Sequence, residues 1–487
     1  MVTAIVQDLP LKDIISLAQT SRLMHQRMIP FLYPVVEIYR EVRPYIDTNA
    51  PDLDLAEYER SFFQEDGSKD SLSILSLMKD LRILPQPWYF QRCGIERYIA
   101  GRSNIADPQS QHTGILATLA SIGRQIFPNI RPGQLSRFSW MLGYCMPPEV
   151  LGPLGYITIN QSNLKSLSLV VDGACRANGL EGLAHLKNLR HFSWRGVVAK
   201  RNFHLFRKVV EHNAHHLVSL DVEVVRHYNQ RLVADIQMDL IWLGLLIPPI
   251  RFRGNLEKLS TEPITNEFRL KSLVSLSLRN VSLLAWGPGD ELTFDPAKLT
   301  VLRLDYCPKT LRFFETWETR DHGFSLRSFG GIIDENWGRR AYFPLEDLLD
   351  KYDSQLEELY LSINVNLGVE IDFDAYWPEL KRLVLSFFSQ GLGVRTESSL
   401  PDRFVVRLIL RALPGLEGFA FSRSPSLIDD SQKAKETLKY YADVLQSEGF
   451  RVHVDDANAD LTPFYFDENK SSGNREPKRA FLQLLPQ

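Results

Sequence analysis

One six-residue pattern returns along the middle of the chain, apolar at its first, fourth and sixth places. It stands as LSRFSW at 135–140, LKSLSL at 164–169, LRHFSW at 189–194 and LVSLDV at 217–222. It recurs as LVSLSL at 273–278, LTVLRL at 299–304, LEELYL at 356–361, LKRLVL at 380–385 and LEGFAF at 416–421, with a weaker copy, LRSFGG, at 326–331. Most starts lie 24–30 residues apart, and the 56-residue gap from Leu217 to Leu273 leaves room for one degenerate unit. Successive side chains of a strand face opposite ways, so Leu276 and Leu278 are expected inside while Ser275, Ser277 and Arg279 point out. Between copies the spacing turns helical. PLEDLLDKYDSQL sets Leu345, Leu348, Leu349 and Tyr352 on one face, and PDRFVVRLILRALPGL does the same with Val405, Leu408, Ile409 and Ala412. A strand-and-helix unit of this size cannot bury its apolar face alone and must stack on its neighbours.

The spacing and the L-x-x-L-x-L core resemble leucine-rich repeats. The resemblance implies an α/β fold: a solenoid with parallel strands on its concave side and helices on its convex side. Three residues beyond the sixth place the family pattern carries asparagine or cysteine, and Asn364 and Cys307 fill it here. Val197, Val225, Val281 and Phe388 hold the same place elsewhere, so a general asparagine ladder is not expected.

At 487 residues the chain exceeds what one hydrophobic core supports, which fits an elongated array or several domains. The formal charge of −3 favours neither nucleic acid nor an acidic membrane. The longest apolar run, LIWLGLLIPPI at 240–250, is too short to span a bilayer, and the first ten residues lack the features of a secretory signal. Cys93, Cys145, Cys175 and Cys307 are widely spread with no C-x-x-C pair, as in a reducing cytoplasmic or nuclear compartment. The expected organisation is a helical segment at 1–40, a linker and N-terminal cap of mixed helix and loop at 41–134, the repeats at 135–454 and a tail at 455–487. An acidic surface loop is expected at 47–70, a closing helix and strand in SQKAKETLKYYADVLQSEGFRVHVDD, and a polar disordered stretch at 467–480.

The opening segment, DLPLKDIISLAQTSRLMHQRMIPFLYPVV, is apolar at helical spacing and punctuated by proline. It resembles the second half of an F-box of the kind found in filamentous fungi: Leu9, Asp13, Ile14, Leu17, Ala18, Thr20, Ser21 and Arg22 fill the L-x-x-x-D-L-x-x-L-(S/A)-x-T-(C/S)-R run, and Pro30, Leu32 and Tyr33 the following P-x-L-Y. Leu9 and Pro10 align with the middle of that motif, and its opening L-P-x-E has no counterpart ahead of them. An internal start and a degraded motif both fit. The resemblance implies a substrate-recognition subunit of an SCF-type cullin–RING ubiquitin ligase. Leu9, Pro10, Ile14, Ile15 and Leu17 would then dock a Skp-type adaptor, and the repeats would hold a target protein. A ubiquitin-independent interaction scaffold, with the same helices serving only as a cap, is the alternative.

Outward places on the strands form the expected target-binding surface. They include His191, Ser193, Arg195, Asp221, Glu223, Arg279, Arg303, Asp305, Glu358, Tyr360 and Arg382, a mixture of charge with tyrosine and arginine that suits protein recognition. His212 and His216 have the i, i+4 spacing of a metal pair, with His215 beside them, yet no motif supplies further ligands. The chain carries no G-x-S-x-G, H-E-x-x-H or G-x-x-x-x-G-K-(S/T) sequence, and the loop glycines of GPGDE and GLG have no phosphate-cradling context. It reads as non-catalytic, with no metal or cofactor.

Overall fold

The computed structural model describes residues 16, 19–21, 24, 35–40, 78–85, 116–117, 119–121, 123–124, 126–143, 145–171, 179–198, 202–225, 243, 245–247, 268–283, 291–307, 310, 313, 325–333, 355–364, 378–388 and 418–423. The chain divides into two compact units, Met1–Leu217 and Val218–Gln487. Both are built on parallel strands, and the fold is α/β.

The first unit pairs β1 (Val35–Arg40), β2 (Asp80–Pro85), β3 (Arg137–Trp140), β4 (Ser166–Val170) and β5 (His191–Val198), each parallel to the next in chain order. The fourth place of one copy pairs with the fourth place of the next: Leu81, Phe138, Leu167 and Phe192 lie side by side. The same is true of the sixth place, where Trp140 and Trp194 are among the largest fully buried side chains. Two of these strands precede residue 135, where the six-residue pattern becomes legible. Their copies were disguised. Met78 holds a first place usually taken by leucine and is wholly buried, with Leu81 and Ile83 at the fourth and sixth.

Between the strands run short helices: α1 (Pro148–Leu151), α2 (Tyr156–Asn160) and α3 (Phe203–His212), with 3-10 turns at Phe127–Asn129 and Glu181–His185. α1 starts with proline at its first turn, where the missing N–H costs nothing. α3 buries Phe203, Phe206, Val209 and Val210 on one face, and the Phe206 ring stacks 5.6 Å from that of Phe192. Two buried amides fasten helix ends to strand starts. Gln161 Oε1 accepts from the Leu135 N–H at 2.9 Å, and Asn213 Oδ1 from the Leu189 N–H at 2.8 Å. Asn213 also donates to the carbonyls of Leu186 and Val209.

The second unit pairs β6 (Ser219–Val225), β8 (Ser275–Arg279), β10 (Val301–Asp305), β11 (Ser328–Ile333), β12 (Glu358–Asn364), β13 (Arg382–Phe388) and β14 (Gly418–Arg423), all parallel. β7 (Leu246–Ile247) and β9 (Glu291–Leu292) form a separate antiparallel pair. Because β6 pairs directly with β8, the long gap between Leu217 and Leu273 adds no strand to the parallel sheet among the described residues. The best strand candidate in that gap ends in Pro248–Pro249, and two residues without N–H groups cannot extend a ladder.

Inside, first and fourth places are sealed. Leu276, Leu302, Phe329, Leu359 and Leu383 are at most 2% exposed, as are Leu278 and Leu304 at the sixth. Each such side chain contributes roughly 1.5–3 kcal/mol of apolar burial. Cys307, at the ninth place, is buried, and its Sγ donates to the Leu278 carbonyl at 3.3 Å, reaching back to the preceding copy. One further bond recurs in both units. Between neighbouring described copies within a unit, the second-place carbonyl of one accepts from the second- and third-place N–H groups of the next: Ser136 O from Lys165 and Ser166, Lys165 O from Arg190 and His191, Val274 O from Thr300 and Val301, Thr300 O from Arg327 and Ser328.

The helices expected at 345–352 and 405–412, the closing helix and strand at 431–456, the acidic stretch at 47–70 and the tail lie outside the described residues.

Candidate functional site

Register gathers the polar residues of the second unit into three rows, at the third, fifth and seventh places. In the third-place row Ser328, Glu358 and Arg382 follow one another across β11, β12 and β13. Glu358 is the hub: its carboxylate accepts from Arg382 Nη1 at 2.8 Å, Ser328 Oγ at 3.1 Å and the Tyr360 hydroxyl at 3.3 Å.

The fifth-place row runs Asp221, Ser277, Arg303, Gly330, Tyr360. Gly330 separates the two largest members, and its missing side chain is what lets them meet. A Cβ there would stand 3.2 Å from Arg303 Cγ and 3.5 Å from Tyr360 Cβ. Across that opening the Arg303 guanidinium lies 5.0 Å from the centre of the Tyr360 ring, a cation–π contact. Burial pushes the Tyr360 hydroxyl above the ordinary tyrosine range; the negative Glu358 adds to the rise, and Arg303 opposes it.

In the seventh-place row Glu223, Arg279 and Asp305 are cross-strand neighbours. Arg279 Nε and Asp305 Oδ2 form an ion pair at 3.2 Å. Glu223 is only 7% exposed, so this expected outward residue presents little to solvent. The described rows therefore hold a cross-strand polar network, with Arg303 and Tyr360 at its centre and Arg382 at one side.

In the first unit the equivalent face carries Arg195 on β5, half-buried, with Ser193 beside it and His191 exposed. Its strongest feature was not anticipated. Asp80, 1% exposed, pairs with Arg82 at 3.0 Å and with Arg137, its partner in register, at 3.1 Å. Its signal in the sequence is an acid at the third place of the copy that begins with Met78 rather than leucine. Ser328 and Gly330 were missed for the opposite reason: the LRSFGG copy is the least leucine-like, and a glycine offers no side chain to read.

The His212 Nδ1 lies 2.7 Å from the Ala184 carbonyl. Among the described residues no group of three or more His, Cys, Asp or Glu could hold a metal ion, and no helix is long and apolar enough to cross a membrane. Of the opening segment, Ser16, Gln19 and Thr20 are helical and exposed. Ser21 interrupts the helix, and its Oγ accepts from the Met24 N–H at 3.1 Å, in the manner of an N-cap that starts a second helix. Leu9, Pro10, Ile14, Ile15 and Leu17 lie outside the described residues.

Compared with known proteins, the chain matches no family model and no curated protein.

Proposed function

We propose that this chain is a non-catalytic recognition subunit of a cullin–RING ubiquitin ligase, in which an F-box-like opening segment binds a Skp-type adaptor and a leucine-rich-repeat solenoid holds the target. The observation that carries the recognition half is the polar network on β8 to β13. A regular parallel sheet sets Arg303, Tyr360, Glu358 and Arg382 on one rigid surface. Preorganised tyrosine and arginine lose little entropy on binding and recur at interface hot spots. The finer fold reading, strands lining a concave side with helices opposite, follows from the 24–30-residue period. The adaptor half rests on the residue-by-residue likeness around Thr20-Ser21-Arg22, with the helix break at Ser21 falling inside that motif.

Co-precipitation from cells tests it. Adaptor should be recovered with the intact chain and lost when residues 1–33 are removed, a truncation that spares β1. A truncated chain that melts as the parent does and still brings down the adaptor would refute the adaptor assignment. Failure of the intact chain to recover adaptor, with target capture preserved, would favour the ubiquitin-independent scaffold. Arg303→Ala, Tyr360→Ala and Arg382→Ala together should reduce target capture while adaptor recovery persists; unchanged capture would move recognition away from this face.

A further inference from the structure

A second site lies in the first unit, along the edge where the chain enters the strands. There the second places of successive copies bring Lys79, Ser136, Lys165 and Arg190 into one row, and they line an open groove of about 700 Å³. Lys79, Lys165 and Arg190 are all exposed, and none has a side-chain hydrogen bond or ion pair among the described residues. Among the described residues no carboxylate lines the groove. The nearest acid in sequence, Asp80, is buried and already neutralised by Arg82 and Arg137.

The corresponding row of the second unit shows how the same place is handled when its charge is balanced. Arg327, Glu357 and Lys381 occupy it, and Glu357 bonds both cations, at 3.3 Å and 3.0 Å. Hydrogen bonding from Lys381 holds the Glu357 carboxyl below its usual range. Three unopposed cations in one row repel one another, so the groove of the first unit favours an anionic occupant.

Its remaining walls narrow the choice. Asn163 and Asn188 repeat one step ahead of each first place and donate to the carbonyls of Gly133 and Ser162, leaving amide groups of peptide-like polarity along the groove. His216 adds a ring whose Nε2 is buried without a hydrogen-bond partner. Among the described residues no aromatic ring of phenylalanine, tyrosine or tryptophan lines the groove, although single-stranded nucleic acid is held largely by stacking on such rings. The cations sit on strands about 4.8 Å apart, so the row from Lys79 to Arg190 spans roughly 14 Å, which four or five extended residues cover. We infer that this groove binds an acidic peptide segment of a partner protein, its carboxylates facing Lys79, Lys165 and Arg190. The inference stands apart from the adaptor and polar-face readings and survives the failure of either.

Fluorescence anisotropy with a labelled octaglutamate peptide at low salt tests it on the full chain. Binding should saturate, weaken as salt rises and fall about tenfold when Lys79→Gln, Lys165→Gln and Arg190→Gln are combined, the sum of three modest exposed pairs. Because these side chains hold nothing in the fold, the triple variant should melt with the parent; Lys165→Gln and Arg190→Gln singly should show intermediate losses. Arg327→Gln with Lys381→Gln, removing the balanced row, should leave peptide binding unchanged. Equal affinity of the triple variant, absence of saturable binding by the parent, or tighter binding of an oligouridylate of the same length would overturn the assignment.

Discussion

Asn213→Ala should destabilise the first unit more than any exposed change on it. Asn213 is fully buried, and its amide makes three bonds: it accepts from Leu189 N at 2.8 Å and donates to Leu186 O at 2.8 Å and Val209 O at 2.7 Å. Truncation does not cost all three equally. The Val209 carbonyl keeps the Asn213 backbone N–H at 3.2 Å, whereas the Leu189 N–H and Leu186 C=O lose the partner that Asn213 supplies. Two orphaned buried groups at about 1–3 kcal/mol each give a loss of about 2–6 kcal/mol. Over a unit of this size that lowers the melting temperature by roughly 5–20 °C. Asn213→Asp separates the donors from the acceptor: aspartate can still accept from Leu189 but turns a carboxylate oxygen toward two carbonyls. It should be at least as damaging at neutral pH. Burial raises the pKa of such a carboxyl, so its penalty should shrink as pH falls through that raised value and the group becomes a neutral donor. Urea unfolding followed by tryptophan emission reports on the transition, since Trp140 and Trp194 are buried in the same unit. A loss below about 1 kcal/mol for Asn213→Ala would refute the claim that this amide joins helix end to strand start.

Leu383→Ala, at a fully buried fourth place, should cost about 2–5 kcal/mol by thermal or urea unfolding, and a near-neutral result would place that side chain outside the core. Glu358→Gln should bring the Tyr360 hydroxyl back toward 10.0, seen in near-ultraviolet pH titration as a difference from Tyr360→Phe; an unmoved transition would deny the Glu358 contribution. The folded state favours neutral Tyr360, so its contribution to stability holds below the ordinary tyrosine pKa and is lost as pH climbs through the raised value. Gly330→Val should force Arg303 off the ring and, by removing the cation that opposes the shift, move the Tyr360 transition further up, while stability changes by only about 1 kcal/mol because the stiffer residue restricts the unfolded chain.

The period and the inward leucines were legible because burial selects the same residue types wherever a strand repeats. Leu302 and Leu304 are each 1% exposed, as the alternation requires. What escaped notice did so for physical reasons. Methionine fills a leucine place as well as leucine does, so the Met78 copy and the strand at Asp80–Pro85 went unread. The gap from Leu217 to Leu273 left room for one more unit, but the strand there, Leu246–Ile247, is two residues long, is followed by Pro248 and Pro249, and pairs antiparallel with β9. For the polar face, the sequence shows which residues point outward but not which neighbour each meets. That depends on register between copies about 25–30 residues apart, and on Gly330, whose contribution is the space it leaves. The balance of charge along the second-place rows likewise depends on which copies are neighbours across the strands.

The shared second-place carbonyl has a consequence for how such a chain changes over generations. Within each unit the described copies hand the next the same two acceptor bonds, so duplication or loss of one whole repeat there rejoins donor to acceptor without altering the register of the strands around it. A single residue gained or lost between the first and sixth places behaves differently: it turns every later side chain of that strand to the opposite face, burying the polar rows and exposing the leucines. The tolerant positions are the stretches after the sixth place, where spacing between copies already varies by several residues. Length variation should accumulate there, repeat number should drift by whole units, and the six-residue blocks should stay uninterrupted.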